Sequence, residues 1–222
     1  MSVIRFISWN VLHISHELKY NPNSIVLQCH PDETLRLKKI IELLREHTID
    51  HTVICLQECS SEMLNLVSCE FNKTHNLISQ KIPKSKDEYL ITLTPKFLKF
   101  SQEKKRIPKG ANGLSIVVND FLKIVNCHFK PQFTVKTETV LESLVKECDS
   151  SLLTVAAGDF NETSKAVKRT LGSKFHVPYF GRSYKKRKCL DFIVFNLDIK
   201  YRSGIIDSSN LSDHRPVVLE IF

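Results

Sequence analysis

The chain has 222 residues, enough for one domain with a substantial core and little beyond it. Hydrophobic residues make up 42% and charged residues 25%, an ordinary globular balance that argues against a disordered or fibrous chain, and no apolar run approaches the ~18 residues a spanning helix needs. The net charge of +8 and pI near 9.1 favour a polyanionic partner such as nucleic acid or a phosphorylated lipid.

Val3 to Trp9 reads as a first buried strand, beginning too soon for a secretory leader. Glu33 to His47 places Leu35, Leu37, Ile40, Ile41, Leu43 and Leu44 at helical spacing, with Asp32 as its N-cap. Val53 to Leu56 is a short buried strand, and Ser60 to about Cys69 a capped helix. Residues 89–93 and 114–118 are strand-like, and Asn119-Asp120 turns the chain into a partner strand, Leu122 to Cys127. Residues 136–147 carry a helical stripe of Val140, Leu141, Leu144 and Val145. Leu152 to Ala157 is a buried strand, followed by a helix near 163–171. Phe192 to Phe195 and Val217 to Ile221 are the last strands. Helices alternate with strands early and hairpins occupy the middle, which implies an α/β protein with mixed sheets in a single domain spanning 1–222. Seven cysteines form no CxxC pair and are expected to be buried free thiols in a reducing compartment. The expected location is intracellular, cytoplasmic or nuclear, and the expected state is a monomer.

Four segments punctuate these strands with polar groups: Ser8-Trp9-Asn10-Val11, Leu56-Gln57-Glu58, Gly158-Asp159-Phe160-Asn161 and Ser212-Asp213-His214-Arg215-Pro216-Val217. A carboxylate at the end of a buried strand is costly unless it is paired or binds metal, and ligands gather at such ends in layered α/β folds. Mg²⁺ needs oxygen donors and keeps several waters, so one or two carboxylates suffice. Glu58 and the Asn10 amide oxygen meet that requirement. Gly158 frees the backbone to turn sharply. Asp159 then stands as a general base for water and Asn161 as a partner of the phosphate, although an Asx turn opening a helix is the simpler alternative. His214 can face a phosphate oxygen if Asp191 holds its other nitrogen, and His128 is a second phosphate-facing histidine. Two basic runs, Lys104-Lys105-Arg106 with Lys109 and Lys185-Lys186-Arg187-Lys188, lie in expected loops. The second, with Arg215, is a candidate contact with substrate.

In order and approximate spacing, Trp9-Asn10, Gln57-Glu58, Asn126-Cys127-His128, Gly158-Asp159-Phe160-Asn161, Leu190-Asp191-Phe192-Ile193 and Ser212-Asp213-His214 resemble the endonuclease/exonuclease/phosphatase superfamily, the DNase I-like metal-dependent phosphoesterases. The resemblance implies a four-layer α/β sandwich, two β-sheets packed face to face with helices outside. It implies Asn10 and Glu58 as principal metal ligands and Asp213 as a further metal-site carboxylate. It implies Asp159 as the base, Asn161 beside it on the phosphate, His128 and His214 as transition-state stabilisers, and Asp191 as the residue orienting His214. Leu12, two residues after Asn10, and the stretch from Arg36 to Glu58 are nearest in form to deadenylase and nocturnin-like members. Arg215 is similar to inositol-polyphosphate 5-phosphatases, whose Trp-x-Asp-Arg motif is replaced here by Leu190-Asp191-Phe192. The expected activity is a Mg²⁺- or Mn²⁺-dependent phosphodiesterase acting on nucleic acid, RNA or single-stranded DNA. The alternatives are a phosphatase of phosphoinositides or other small phosphoesters, and a non-catalytic binding module.

Overall fold

A computed structural model of the chain describes residues 3–103, 111–130, 141, 142, 145, 146, 152–184 and 188–222. Its strands are β1 (Ile4–Asn10), β2 (Thr52–Cys59), β3 (His75–Lys81), β4 (Tyr89–Pro95), β5 (Ser101–Glu103), β6 (Ala111–Val118), β7 (Leu122–Phe129), β8 (Leu153–Asp159), β9 (Asp191–Phe195), β10 (Tyr201–Ile205) and β11 (Val217–Ile221). Its helices are α1 (Ile14–Tyr20), α2 (Ile25–Cys29), α3 (Glu33–His47), α4 (Ser61–Phe71) and α5 (Ser164–Leu171). They build a six-stranded sheet, β10-β11-β1-β2-β4-β3, and a five-stranded sheet, β5-β6-β7-β8-β9. Each is mixed: β1–β2 and β7–β8 are the parallel pairs, and the other pairings are antiparallel.

Side chains alternate faces along a strand, so the sheets sort their residues by parity. Phe6, Val53 and Cys55 meet Ile124, Val155, Ala157, Ile193 and Phe195 between the sheets. The opposite parity, Ile7, Trp9, Ile54 and Leu56, packs on α3 and α4 through Leu37, Ile40, Leu44, Met63 and Val67. Val125, Cys127, Ala156, Phe192 and Val194 pack on α5 through Val167 and Leu171. These three apolar layers separate four structural layers: helices, sheet, sheet, helices. The four-layer α/β sandwich with two mixed sheets is therefore the fold.

The helices start where local chemistry places them. Asp32, Ser60 and Thr163 each accept a backbone N–H at the third residue on, from Leu35, Met63 and Ala166. Leu35 belongs to the expected apolar stripe of α3 but is exposed, and Arg36 is buried in its place. Of the expected helix over 136–147, only 141, 142, 145 and 146 are described, and they are helical. The elements missed by periodicity are the short helices α1 and α2 and the strands β3, β5 and β10. Residues 89–93, expected to be strand-like, lie in β4, which is flanked by β3 and β5. Of the cysteines, Cys55, Cys59 and Cys127 are buried, but Cys29 and Cys69 are exposed, because each falls on the solvent side of a helix. Cys148 lies outside the described residues.

One further correction concerns the backbone. Gly158 does not turn the chain: it lies inside β8, between Cys127 and Phe192 of the neighbouring strands. Its φ is +149°, and a Cβ there would sit 1.8 Å from the Cys127 carbonyl oxygen, so glycine is required by close backbone approach. Arg36 is fully buried. Its guanidinium donates to the carbonyls of Val11, Leu12 and Leu211 and to the carboxylate of Glu33. It thereby ties α3 to the chain just after Asn10 and just before Ser212. Arg36→Met leaves three buried carbonyls without donors and is expected to lower the unfolding free energy by on the order of 3–5 kcal/mol, measured by urea denaturation. Gly158→Ala is expected to abolish soluble folded protein, with an unperturbed melting transition as the contrary result.

Candidate active site

Parity also assembles the site. Asn10, Gln57, Asn126, His128, Asp159 and Asp191 share the inner face of their strands with the inter-sheet core, but at one end, where the apolar filling stops. Below them a polar bridge joins the sheets: Gln57 Nε2 donates to Asn126 Oδ1 at 2.9 Å, and Asn126 Nδ2 to the Ile91 carbonyl at 2.9 Å. Glu58 has the wrong parity and would follow Leu56 towards the helices. A register shift between Leu56 and Cys59 and a φ of +54° at Glu58 re-aim it into the cleft. Bulges beside active sites do this in general.

Glu58 Oε1 accepts from Asn10 Nδ2 at 2.8 Å and faces His128 Nε2 at 3.5 Å. Asn10 Nδ2 also donates to Asp159 Oδ2 at 3.1 Å, while the Asn10 oxygen accepts the Leu12 N–H. In this arrangement Asn10 bridges two carboxylates through its nitrogen rather than offering its oxygen. Asp159 divides its work. Oδ1 accepts the Asn161 N–H at 2.8 Å, an Asx turn in which Asn161 has φ +49°. Oδ2 faces His214 Nε2 at 3.7 Å and His128 Nε2 at 3.9 Å. Asn161 donates its amide to the Phe129 carbonyl. His214 Nδ1 pairs with Asp191 Oδ2 at 2.8 Å, and its ring lies 4.7 Å from that of Tyr184. Trp9 Nε1 bonds the His214 carbonyl, and Ser212 Oγ donates to the Asn10 carbonyl. Asp213 Oδ1 lies 4.0 Å from His214 Nε2. Among the described residues Asp213 is grouped with neither of two cation-sized clusters, Glu58–His128–Asp159 and Asp159–Asp191–His214.

Lys188 and Arg215 are exposed on the strip beside Tyr184: Tyr184 bridges Lys188 and His214, and the Arg215 N–H bonds the Ser183 carbonyl. Lys185, Lys186 and Arg187, like 104–106 and Lys109, lie outside the described residues. Sequence reasoning missed Glu88, His16 and Ser183. Glu88 faces His128 Nδ1 through Oε1 at 3.5 Å, and Ser183 Oγ accepts the N–H groups of Leu190 and Asp191. Glu88 did carry a signal, since it immediately precedes the apolar strand β4, much as Asp191 opens β9 ahead of Phe192.

The electrostatics follow from crowding. Burial pushes the Glu58 carboxyl up, but the His16 hydrogen bond and the His128 and His16 charges outweigh it and hold it well below the usual carboxylate range. Burial raises Asp159 to about 6, with His214 opposing and Asp191 adding to the rise. Burial would lower His128, yet Glu88, Glu58 and Asp159 lift it to about 9. Burial also opposes protonation of His214, but Asp191 and Asp159 carry it well above its ordinary value. Both imidazoles are thus cations at neutral pH, each backed by a carboxylate and turned towards Asp159.

The family model described as "Endonuclease/Exonuclease/phosphatase family" matches residues 7–214. The chain belongs to the endonuclease/exonuclease/phosphatase family. An endonuclease/exonuclease/phosphatase family protein from Bacteroides vulgatus superposes with a TM-score of 0.74 at 14% identity, covering 100% of this chain and 99% of that one. Truncated Caenorhabditis elegans TDP2 gives 0.69 at 15% identity over 99% and 97%. D. rerio TDP2 complexed with single strand DNA product gives 0.68 at 13% identity over 100% of both chains. At such identities the likeness speaks for the fold. No curated protein sequence is matched. Endonuclease/exonuclease/phosphatase membership makes the chemistry divalent-metal-dependent phosphoester hydrolysis. Among the described residues no helix is long and apolar enough to cross a membrane.

His128 yields a pH prediction. Its folded pKa of about 9 lies above the ordinary 6.5, so its stabilising contribution is complete below 6.5 and lost as pH rises through about 9. In EDTA, the wild type is expected to lose its stability advantage over His128→Asn between pH 7 and pH 10, read from urea midpoints. An advantage constant across that range would contradict the pairing.

Proposed function

We propose that the protein is a Mg²⁺- or Mn²⁺-dependent phosphodiesterase that hydrolyses nucleic acid, RNA or single-stranded DNA. The observation that carries the reading is the pair of imidazoles, His128 and His214, converging with Glu58 on Asp159. Five buried carboxylates, Glu58, Glu88, Asp159, Asp191 and Asp213, line one cleft, and oxygens of Glu88, Asp191 and Asp213 lie buried there. That donor chemistry fits a hard divalent cation. Glu58 would hold it, with the Asn10 oxygen once the amide turns over and with Asp213 as a further carboxylate. When bound, the ion neutralises phosphate charge and polarises the ester.

The chain's own residues do the rest. Water attacks phosphorus opposite the leaving oxygen, and Asp159 Oδ2 takes its proton. The phosphorus–oxygen ester bond breaks, and the leaving oxygen is protonated from solvent or an imidazolium. His128 and His214 donate to the non-bridging oxygens, where charge accumulates. Asp191 holds His214 by Nδ1, leaving Nε2 for the phosphate. Asn161 fixes the Asp159 turn and faces the same oxygens. Lys188 and Arg215, with Lys185, Lys186 and Arg187 preceding them in sequence, supply a basic border for the strand.

A net charge of +8 supports a polyanionic substrate, and the single strand DNA product held by D. rerio TDP2 supports nucleic acid over a small phosphoester. Labelled RNA, single- and double-stranded DNA and inositol phosphates, each with Mg²⁺, Mn²⁺ or EDTA, test the substrate. Turnover of inositol phosphates alone would transfer the assignment to a phosphatase, and metal-independent binding without turnover would make the protein a binding module. Asp159→Ala and His214→Ala are each expected to slow turnover by on the order of 10²-fold or more with an unchanged circular dichroism spectrum. Near-normal turnover by Asp159→Ala would overturn the assignment of the base.

A further inference from the structure

Helix α1 brings to Glu58 a group that the reaction above does not use. His16 Nδ1 lies 2.8 Å from Glu58 Oε2, and its Nε2 faces Glu88 Oε2 at 3.7 Å. Imidazoles that ligate metals commonly direct their second N–H at a carboxylate, which fixes the ring and its tautomer. His16 Nε2 is turned towards Glu88 in the same sense, at ion-pair rather than hydrogen-bond distance. Donors in adjacent positions on one ion, each ~2.1 Å from it, lie ~3 Å apart, so His16 Nδ1 and Glu58 Oε2 already have the spacing of neighbouring ligands.

The surroundings hold this geometry in place. The His13 N–H donates to the same Glu58 oxygen at 3.3 Å, and His13 Nε2 meets the Asp87 carbonyl at 2.8 Å. The start of α1 is thus tied both to Glu58 and to the loop that carries Glu88. The His16 side chain is 37% exposed, so an ion can reach it from solvent. His128 approaches the other oxygen of Glu58, Oε1. The two imidazoles therefore do not compete, and His128 stays available to the phosphate.

We propose that His16 is a metal ligand, sharing with Glu58 the divalent cation of the active site. The resulting mixed nitrogen–oxygen donor set favours Mn²⁺ and neighbouring transition ions over Mg²⁺. Mg²⁺ prefers oxygen donors and retained water, whereas imidazole suits the transition ions. On binding, Nδ1 gives its proton to solvent and presents its lone pair, while Nε2 keeps its proton towards Glu88. The proposal rests on the reading of Glu58 as the metal carboxylate.

The test is Mn²⁺ added to the metal-free full-length protein, read by electron spin-echo modulation and by calorimetry in competition with Mg²⁺. The wild type is expected to show imidazole nitrogen modulation, and His128→Asn to retain it. His16→Gln is expected to lose it, and its preference for Mn²⁺ over Mg²⁺ to fall ~10-fold or more. Nitrogen modulation that persists in His16→Gln, or is missing from the wild type while Mn²⁺ binding still requires Glu58, overturns the role of His16 alone. Mn²⁺ that fails to bind the wild type, or binds Glu58→Gln as tightly, overturns both the ligand and the metal reading of Glu58. Because His16 is partly exposed, the variant is expected to keep its fold, which circular dichroism checks.

Discussion

Burying several carboxylates at one end of a protein sandwich is the constraint from which the rest of this structure follows. Glu58, Glu88, Asp159, Asp191 and Asp213 are all buried, and unpaired charges in such a setting would cost several kcal/mol each. The fold meets the cost with imidazoles. His128 sits among Glu58, Glu88 and Asp159, and His214 among Asp191, Asp159 and Asp213. Three histidines set against five acids leave the cleft with room for a divalent cation. The excess acidity that makes the site hard to bury is the property its chemistry uses.

Holding that arrangement requires rigidity just behind it. The bridge from Gln57 through Asn126 ties the sheets together beneath the cleft, so the apolar core ends in a hydrogen-bonded pair of amides. Arg36 secures the backbone on both flanks, after Asn10 and before Ser212. Ser183 fixes the N–H groups at the entrance to Asp191. None of these four residues meets substrate in the proposed reaction. Each settles where a reacting side chain can stand, which is where much catalytic precision resides.

The strands that hold the site were legible because burial on both faces leaves continuous apolar runs, as in Val53 to Leu56 and Phe192 to Phe195. The caps Asp32 and Ser60 were equally legible, since N-capping is local. The strands β3 and β10 were not. Both carry polar residues at many positions, and pairing with β4 and β11 makes them strands. Gly158 was read as a turn because sequence cannot show the Cys127 carbonyl pressed against it. Glu88 stayed hidden for a related reason: its partners, His16 and His128, are 72 and 40 residues away in the chain.

From the sequence alone came the residue types, their order, and a parity that sends Asn10, His128, Asp159 and Asp191 to one face. Those follow from local periodicity and from the family resemblance the motifs carry. Tertiary structure decided which oxygen meets which nitrogen. The bulge that turns Glu58 inward, the amide of Asn10 lying between two carboxylates, and the approach of His16 from α1 all arise only when segments distant in sequence pack together. The physical reason is that hydrogen bonds and charge pairs act over a few ångströms, whereas the groups they join here are as far apart in the chain as Asn10 and Asp159.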